Sequence, residues 1–144
     1  MRIERYSDIY ENDVRWLVRE FQAESLAEYG LTFNDEALTK TLAEHKHQIF
    51  VLIIDDRCEG ILAGKEVYTP QGGEKCWHEM IWFVSKRHRK YGLRLLDAVK
   101  AILKAEGFTL IVMVYMHNSK SDKLDRLYRR MGYKAMETNY IGRL

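Results

Sequence analysis

A single proline, Pro70, in 144 residues leaves no material for a Pro-rich linker, and nine glycines are too few for a flexible one. The two cysteines, Cys58 and Cys76, form no C-x-x-C pair and cannot build a disulfide framework, which fits a reducing compartment. Neither sign of charge dominates: the formal net charge is +2, too small a bias to argue for a nucleic-acid partner. No apolar run approaches membrane-spanning length. The start, Met1-Arg2-Ile3-Glu4-Arg5, is charged and lacks the apolar stretch of a signal peptide, so a cytoplasmic protein with no membrane partner is expected. His45-x-His47 has no third ligand at a convincing spacing, and no metal site is expected.

What remains is the composition of a folded domain. Hydrophobic residues make up 47% and charged residues 31%, enough to bury a core, and no internal repeat divides residues 1–144. Residues 2–7 read as a short strand. From Glu11 to Leu26 the spacing of Val14, Leu17, Val18 and Phe21 predicts a helix with one buried stripe. Gly30 ends that region, and Asn34 caps a second helix reaching about Lys46 with Leu38 and Leu42 inward. The β-branched run from Gln48 to Ile54, a turn at Asp55-Asp56-Arg57, and runs over Cys58–Tyr68 and Cys76–Val84 predict an antiparallel meander, with a loop at Pro70-Gln71-Gly72-Gly73. Tyr91–Glu106 has helical spacing and Gly107 follows as its stop. Phe108–Met116, almost wholly apolar, reads as a central strand buried on both faces. Ser119-Lys120-Ser121-Asp122 resembles a capping box before a last helix carrying Leu124, Leu127, Tyr128 and Met131. Gly132 ends it, and Tyr133–Ile141 reads as a final strand. Trp16 and Trp82 both fit core positions.

The segment that carries chemistry is Arg89-Lys90-Tyr91-Gly92-Leu93-Arg94. A strand ending at Val84, a basic loop and a helix opening near Gly92 make an anion site, because first-turn N–H groups have no intrahelical partner and the macrodipole adds positive charge. Gly92 lets an anion approach the backbone without a Cβ in the way, and Arg89, Lys90 and Arg94 can add charge-assisted bonds. The run Lys86–Lys90 could also be a solvated loop or a nucleic-acid patch; its place before a Gly-opened helix favours a diphosphate.

That hexapeptide resembles the R/Q-x-x-G-x-G/A signature of the GNAT superfamily of N-acetyltransferases, with Arg89 in the first place and Gly92 in the fourth. Arg94 stands where a small residue is usual. Leu127-Tyr128-Arg129-Arg130-Met131-Gly132-Tyr133 resembles the family's L-Y-x-x-x-G-F, with Tyr in the last place. The order of elements matches over nearly the whole chain, and the ending Glu137-Thr138-Asn139-Tyr140 is similar to short bacteriophage-encoded members. The resemblance implies an α/β fold with a mixed, mostly antiparallel sheet and helices on both faces. It also implies acetyl-CoA as cosubstrate, with its pantetheine arm along Phe83, Val84 and Ser85 and its diphosphate on Arg89–Arg94. The Asn that the family places seven residues before the Tyr is replaced by Ser121, and Asn118, three residues earlier, is taken as the cofactor-binding candidate.

Transfer from a thioester to an amine needs a base and an acid. The resemblance places Tyr128 near the CoA sulfur as the acid toward the leaving thiolate, although Tyr128 also fits a core stripe. His78 and Glu79 are both candidate bases; adjacent on one strand, they point to opposite faces, so at most one serves. A cross-strand polar contact is the other reading of each. Glu20, Glu24 and Glu28 share one helical face and could attract a cationic amine, or be a solvated acidic face. The expected partner is an amine-bearing acceptor, small molecule or protein, with a homodimer left open. Two other functions remain: an acyl-CoA-binding module that transfers nothing, and a GNAT-like protein that modifies nucleic-acid bases.

Overall fold

The structure, a computed structural model, describes residues 1–69 and 71–144; Pro70, placed in a loop by the sequence, lies outside them. Five strands form one sheet in the order β1 (Arg2–Arg5), β2 (Ile49–Ile54), β3 (Arg57–Tyr68), β4 (Lys75–Val84) and β5 (Leu110–Val112). The first four pair antiparallel with their neighbours, and β4 pairs parallel with β5. The helices are α1 (Glu11–Phe21), α2 (Asp35–Glu44), α3 (Gly92–Ala105) and α4 (Ser121–Arg130). The mixed, mostly antiparallel sheet is the one expected. Among the described residues no helix is long and apolar enough to cross a membrane.

Alternation along β2 explains why the sheet is covered on both faces. Ile49, Val51 and Ile53 join Val14 and Leu17 of α1 and Leu42 of α2 in one core. Phe50 and Leu52 join Leu95, Leu96, Val99 and Leu103 of α3 in the other. A strand apolar at every position needs cover on both sides, and two helical layers supply it. Asn34 caps α2 as the sequence predicts, its Oδ1 accepting the Ala37 N–H at 2.9 Å.

Several expectations are corrected. The central strand buried on both faces is β2, not Phe108–Met116; that segment gives only the three residues of β5, part-exposed at the sheet edge. Tyr133–Ile141 joins no ladder: Tyr133 stacks on Tyr128 with ring centroids 6.1 Å apart, and residues 134–144 are exposed. The capping box does not form, because Lys120 precedes α4 with φ 54° and no side chain caps it. α1 ends at Phe21 and winds on as a π turn over Gln22–Leu26. Trp16 is 51% exposed rather than in the core.

One irregularity shapes the sheet. Ala63 faces Ile81 but Gly64 faces Glu79, so Met80 is an extra residue in β4, a bulge that strengthens the local twist. The backbone at Gly64 is pressed against β4: a Cβ there would lie 2.5 Å from Trp77 Cζ2 and inside contact distance of the His78 carbonyl. Gly64→Ala should therefore cost about 2–4 kcal/mol. A denaturant titration giving a loss below about 1 kcal/mol would show that the bulge tolerates a side chain.

Candidate functional site

Beyond the bulge the sheet opens. The β4–β5 ladder consists of Cys76–Leu110, Trp77–Ile111 and His78–Val112, and then stops. From Ile81 to Val84, β4 pairs with β3 alone, so beyond the Met80 bulge its other edge presents backbone groups without a strand partner among the described residues. An unpaired strand edge is a template for an extended ligand.

What ends the ladder is a side chain. The Val114 N–H donates to Glu79 Oε2 at 2.9 Å instead of to a β4 carbonyl. The Val114 carbonyl in turn accepts the Tyr128 hydroxyl at 2.8 Å. Glu79 of β4 and Tyr128 of α4 thus meet on the two polar groups of one residue, at the apex of the opening. Both are buried, at 4% and 8% exposure. Burial pushes the Glu79 carboxyl up to about 7, against a smaller opposing effect of the Val114 N–H. Burial likewise raises the Tyr128 phenol, and the Glu79 charge adds to it. At neutral pH this leaves a carboxyl that can take a proton and a phenol that keeps one. His78, the other candidate base, has Nδ1 2.9 Å from the Glu79 carbonyl. Only an Nδ1–H can bond there, which assigns the lone pair to Nε2.

The loop after β4 is anchored rather than loose. Lys86–Tyr91 winds as 3-10 helix, and Ser85 is bound three ways at its start. The Ser85 N–H donates to the Glu59 carbonyl, its hydroxyl to Glu59 Oε2 at 2.7 Å, and its carbonyl accepts the His88 N–H. His88 Nδ1 lies 3.1 Å from the Ser85 hydroxyl. Phe83 and Val84 turn to opposite cores. Arg94 and Leu93 are exposed, and the Arg94 guanidinium carbon sits 5.7 Å from the Tyr91 ring centroid, on which Lys90 Nζ also sits at 5.1 Å.

Gly92 opens α3, and its own N–H bonds the Arg89 carbonyl. The cap residue Tyr91 offers no side-chain bond to the helix start. Gly92 has φ −56°, an ordinary helical value, and a Cβ there would meet its nearest neighbour, Trp82 Cζ2, at an unstrained 3.6 Å. Neither conformation nor packing requires glycine at this position, so the close approach of something outside the chain is the remaining physical reason for one.

Two expected residues are engaged by unforeseen partners. Asn118 Nδ2 donates to the Ser25 carbonyl at 3.1 Å and to Glu28 Oε2 at 2.6 Å. Arg89 Nη2 donates to both oxygens of Glu24, at 3.0 and 2.9 Å, and Arg89 Nε reaches toward the Val84 carbonyl at 3.4 Å. Glu24 is ion-paired with Arg89 and Glu28 accepts the Asn118 amide, whereas Glu20 takes part in no ion pair among the described residues. The partnership of Glu59 with Ser85 and His88, and the role of Val114, carry no sequence signal, since each joins residues far apart in the chain. Among the described residues no group of His, Cys, Asp and Glu could hold a metal ion.

A sheet splayed beside a bulge, with a basic turn running from the splayed strand into a helix, defines an acyl-transferase architecture. The chain belongs to the acetyltransferase (GNAT) family, whose sequence model matches residues 9–133. No curated protein sequence matches it. Among solved structures it is similar to the ribosomal-protein-alanine N-acetyltransferase from Brucella melitensis biovar Abortus 2308, with a TM-score of 0.77 at 15% identity, covering 99% of this chain and 98% of that one. The aminoglycoside acetyltransferase meta-AAC0020 from an uncultured soil metagenomic sample gives 0.73 at 18% identity, covering 99% and 95%. AAC(6')-Iy, in complex with the bisubstrate analog CoA-S-monomethyl-acetylneamine, gives 0.74 at 14% identity, covering 99% and 97%.

The raised Glu79 carboxyl has a consequence for stability. Its folded-state pKa, about 7, lies above the ordinary 4.5, so the folded state binds the proton more tightly. The associated stability is fully present below pH 4.5 and is lost as pH rises through 7. Glu79→Gln stays neutral and keeps an oxygen for the Val114 N–H. From pH 5 to pH 8 wild type should lose stability relative to Glu79→Gln by on the order of 2–3 kcal/mol. Denaturant titrations with a pH-independent difference would place this carboxyl at an ordinary pKa.

Proposed function

We propose that the chain is an N-acetyltransferase that moves the acetyl group of acetyl-CoA onto a primary amine. The observation that carries the reading is the open edge of β4 from Ile81 to Val84, running directly into the basic turn and the uncapped start of α3. An extended pantetheine amide chain matches an unpaired strand edge, and a diphosphate matches a cationic turn at a helix start. Phe83 and Val84 would supply backbone to the arm. Arg89, Lys90 and Arg94 would supply charge to the diphosphate, with the backbone of Tyr91, Gly92 and Leu93. Ser85, whose polar groups bind Glu59 and His88, would serve by fixing the turn.

The chemistry follows from protonation states. A neutral amine attacks the thioester carbonyl; the C–N bond forms, the oxyanion collapses and the C–S bond breaks. The proton lost by the nitrogen goes to Glu79, directly or through a water, and the thiolate takes the Tyr128 proton. Proton return from Glu79 to the phenolate resets the site, so the products are an amide and a free thiol. Glu79 is favoured over His78 because it shares Val114 with Tyr128. Asn118, bonded to the segment after α1, would lie beside the cofactor. The Brucella protein and meta-AAC0020 act, by their names, on a protein alanine and on aminoglycosides, and an amine is what these acceptors have in common.

Release of free thiol from acetyl-CoA, with acetylated products read by mass spectrometry over aminoglycosides, polyamines and N-terminal-alanine peptides, tests the reading. With a turned-over acceptor, Tyr128→Phe should lower kcat by roughly 10²–10⁴-fold while acetyl-CoA affinity holds. In wild type kcat should rise with pH to a plateau above about 7, and Glu79→Gln should lose that rise. A Tyr128→Phe enzyme as fast as wild type would make Tyr128 a packing residue.

A further inference from the structure

The carboxylate on Arg89 faces the anion that the proposed function brings to the same guanidinium. Glu24 lies on the π turn that extends α1, and both its oxygens lie within 3.0 Å of Arg89 Nη2. The pair is half-exposed, with side chains at 31% and 35%, so neither partner is locked in by packing. Its surroundings are cationic. The Lys120 ammonium pKa is lowered by desolvation and then by the charge of Arg89, with Lys123 and Lys86 adding to it and Glu24 alone opposing. Arg89, Lys123 and Lys86 thus all bear on Lys120, and Glu24 is the carboxylate that opposes them there. Such a basin suits an anion of greater charge than Glu24 carries, and a diphosphate has more charge and more acceptor oxygens to offer.

We propose that Glu24 is an internal counter-ion of the diphosphate site, holding Arg89 until the diphosphate of CoA takes its place. The inference rests on the acetyl-CoA reading and extends it. Cofactor binding exchanges a carboxylate–guanidinium pair for a phosphate–guanidinium pair, and Glu24 moves away from the phosphates by like-charge repulsion. The exchange has a second effect. The segment Gln22–Tyr29 is tied to both sides of the opening, to Arg89 after β4 through Glu24 and to Asn118 after β5 through Glu28 and the Ser25 carbonyl. Losing the first tie loosens this segment once the cofactor is seated, and returns a negative charge to the helical face that leads into the opening.

Calorimetric titration of CoA into wild type, Glu24→Gln and the charge control Glu36→Gln tests the exchange. Glu24→Gln should bind CoA roughly 3–30-fold more tightly, since the competitor for Arg89 is gone, while Glu36→Gln stays within about twofold of wild type. The gain should persist with dephospho-CoA, which keeps the diphosphate, and vanish with pantetheine, which has no phosphate. Weaker CoA binding by Glu24→Gln would make Glu24 a support that orients Arg89 and overturn the proposal. Unchanged binding, or a gain lost with dephospho-CoA, would overturn it equally. Absence of CoA binding in all three proteins would instead remove the acetyl-CoA reading on which it stands.

Discussion

The parting of β4 from β5 depends on one buried carboxylate. In a continuing parallel ladder the Val114 N–H would bond a carbonyl of β4; here it bonds Glu79 at 2.9 Å, and the ladder ends at His78–Val112. The Met80 bulge adds the local twist that turns Glu79 toward this position. Tyr128 then takes the Val114 carbonyl, tying α4 to the same point. Removing the carboxylate from water raises its pKa, and this gives the molecule a group that titrates near neutrality at the apex of an open edge. A structural wedge and a candidate base are the same atoms.

GNAT membership is carried by a sequence model over residues 9–133, while the structural neighbours share at most 18% identity among those described above. At that distance the fold alone is common ground. Two departures from the motifs are placed by the fold: Arg94, where a small residue is usual, is exposed and lies beside Tyr91, and Tyr133, in place of Phe, stacks on Tyr128. Each places charge or polarity around the basic turn or the apex, leaving the sheet unaltered.

Much of the architecture was legible because it follows from local patterns. The α1 and α3 stripes, the Asn34 cap, the β2–β3–β4 meander and the covered sheet all express periodicity and turn chemistry. The apolar run Phe108–Met116 misled, because hydrophobicity signals burial and not hydrogen-bond partners: Phe108, Ile111 and Met113 pack toward α3, while Glu79 claims the backbone that would extend β5. Tyr133–Ile141 has strand-forming residues but no ladder in this structure. At the site, Tyr128, Glu79 and Gly92 were visible as residue types in spacing. That Glu79 and Tyr128 share Val114, that Glu59 holds Ser85, and that Glu24 reaches Arg89 are tertiary pairings over long separations, which no single-sequence period encodes.

In the proposed function the open edge of β4 and the turn after it receive acetyl-CoA. Amide hydrogen exchange with and without acetyl-CoA measures this directly, because a ligand that pairs with a strand edge slows exchange at that edge. The account predicts added protection over Ile81–Val84 and over Lys86–Arg94, with β1 and β2 unchanged. Saturable binding of acetyl-CoA with no change in either segment would contradict it.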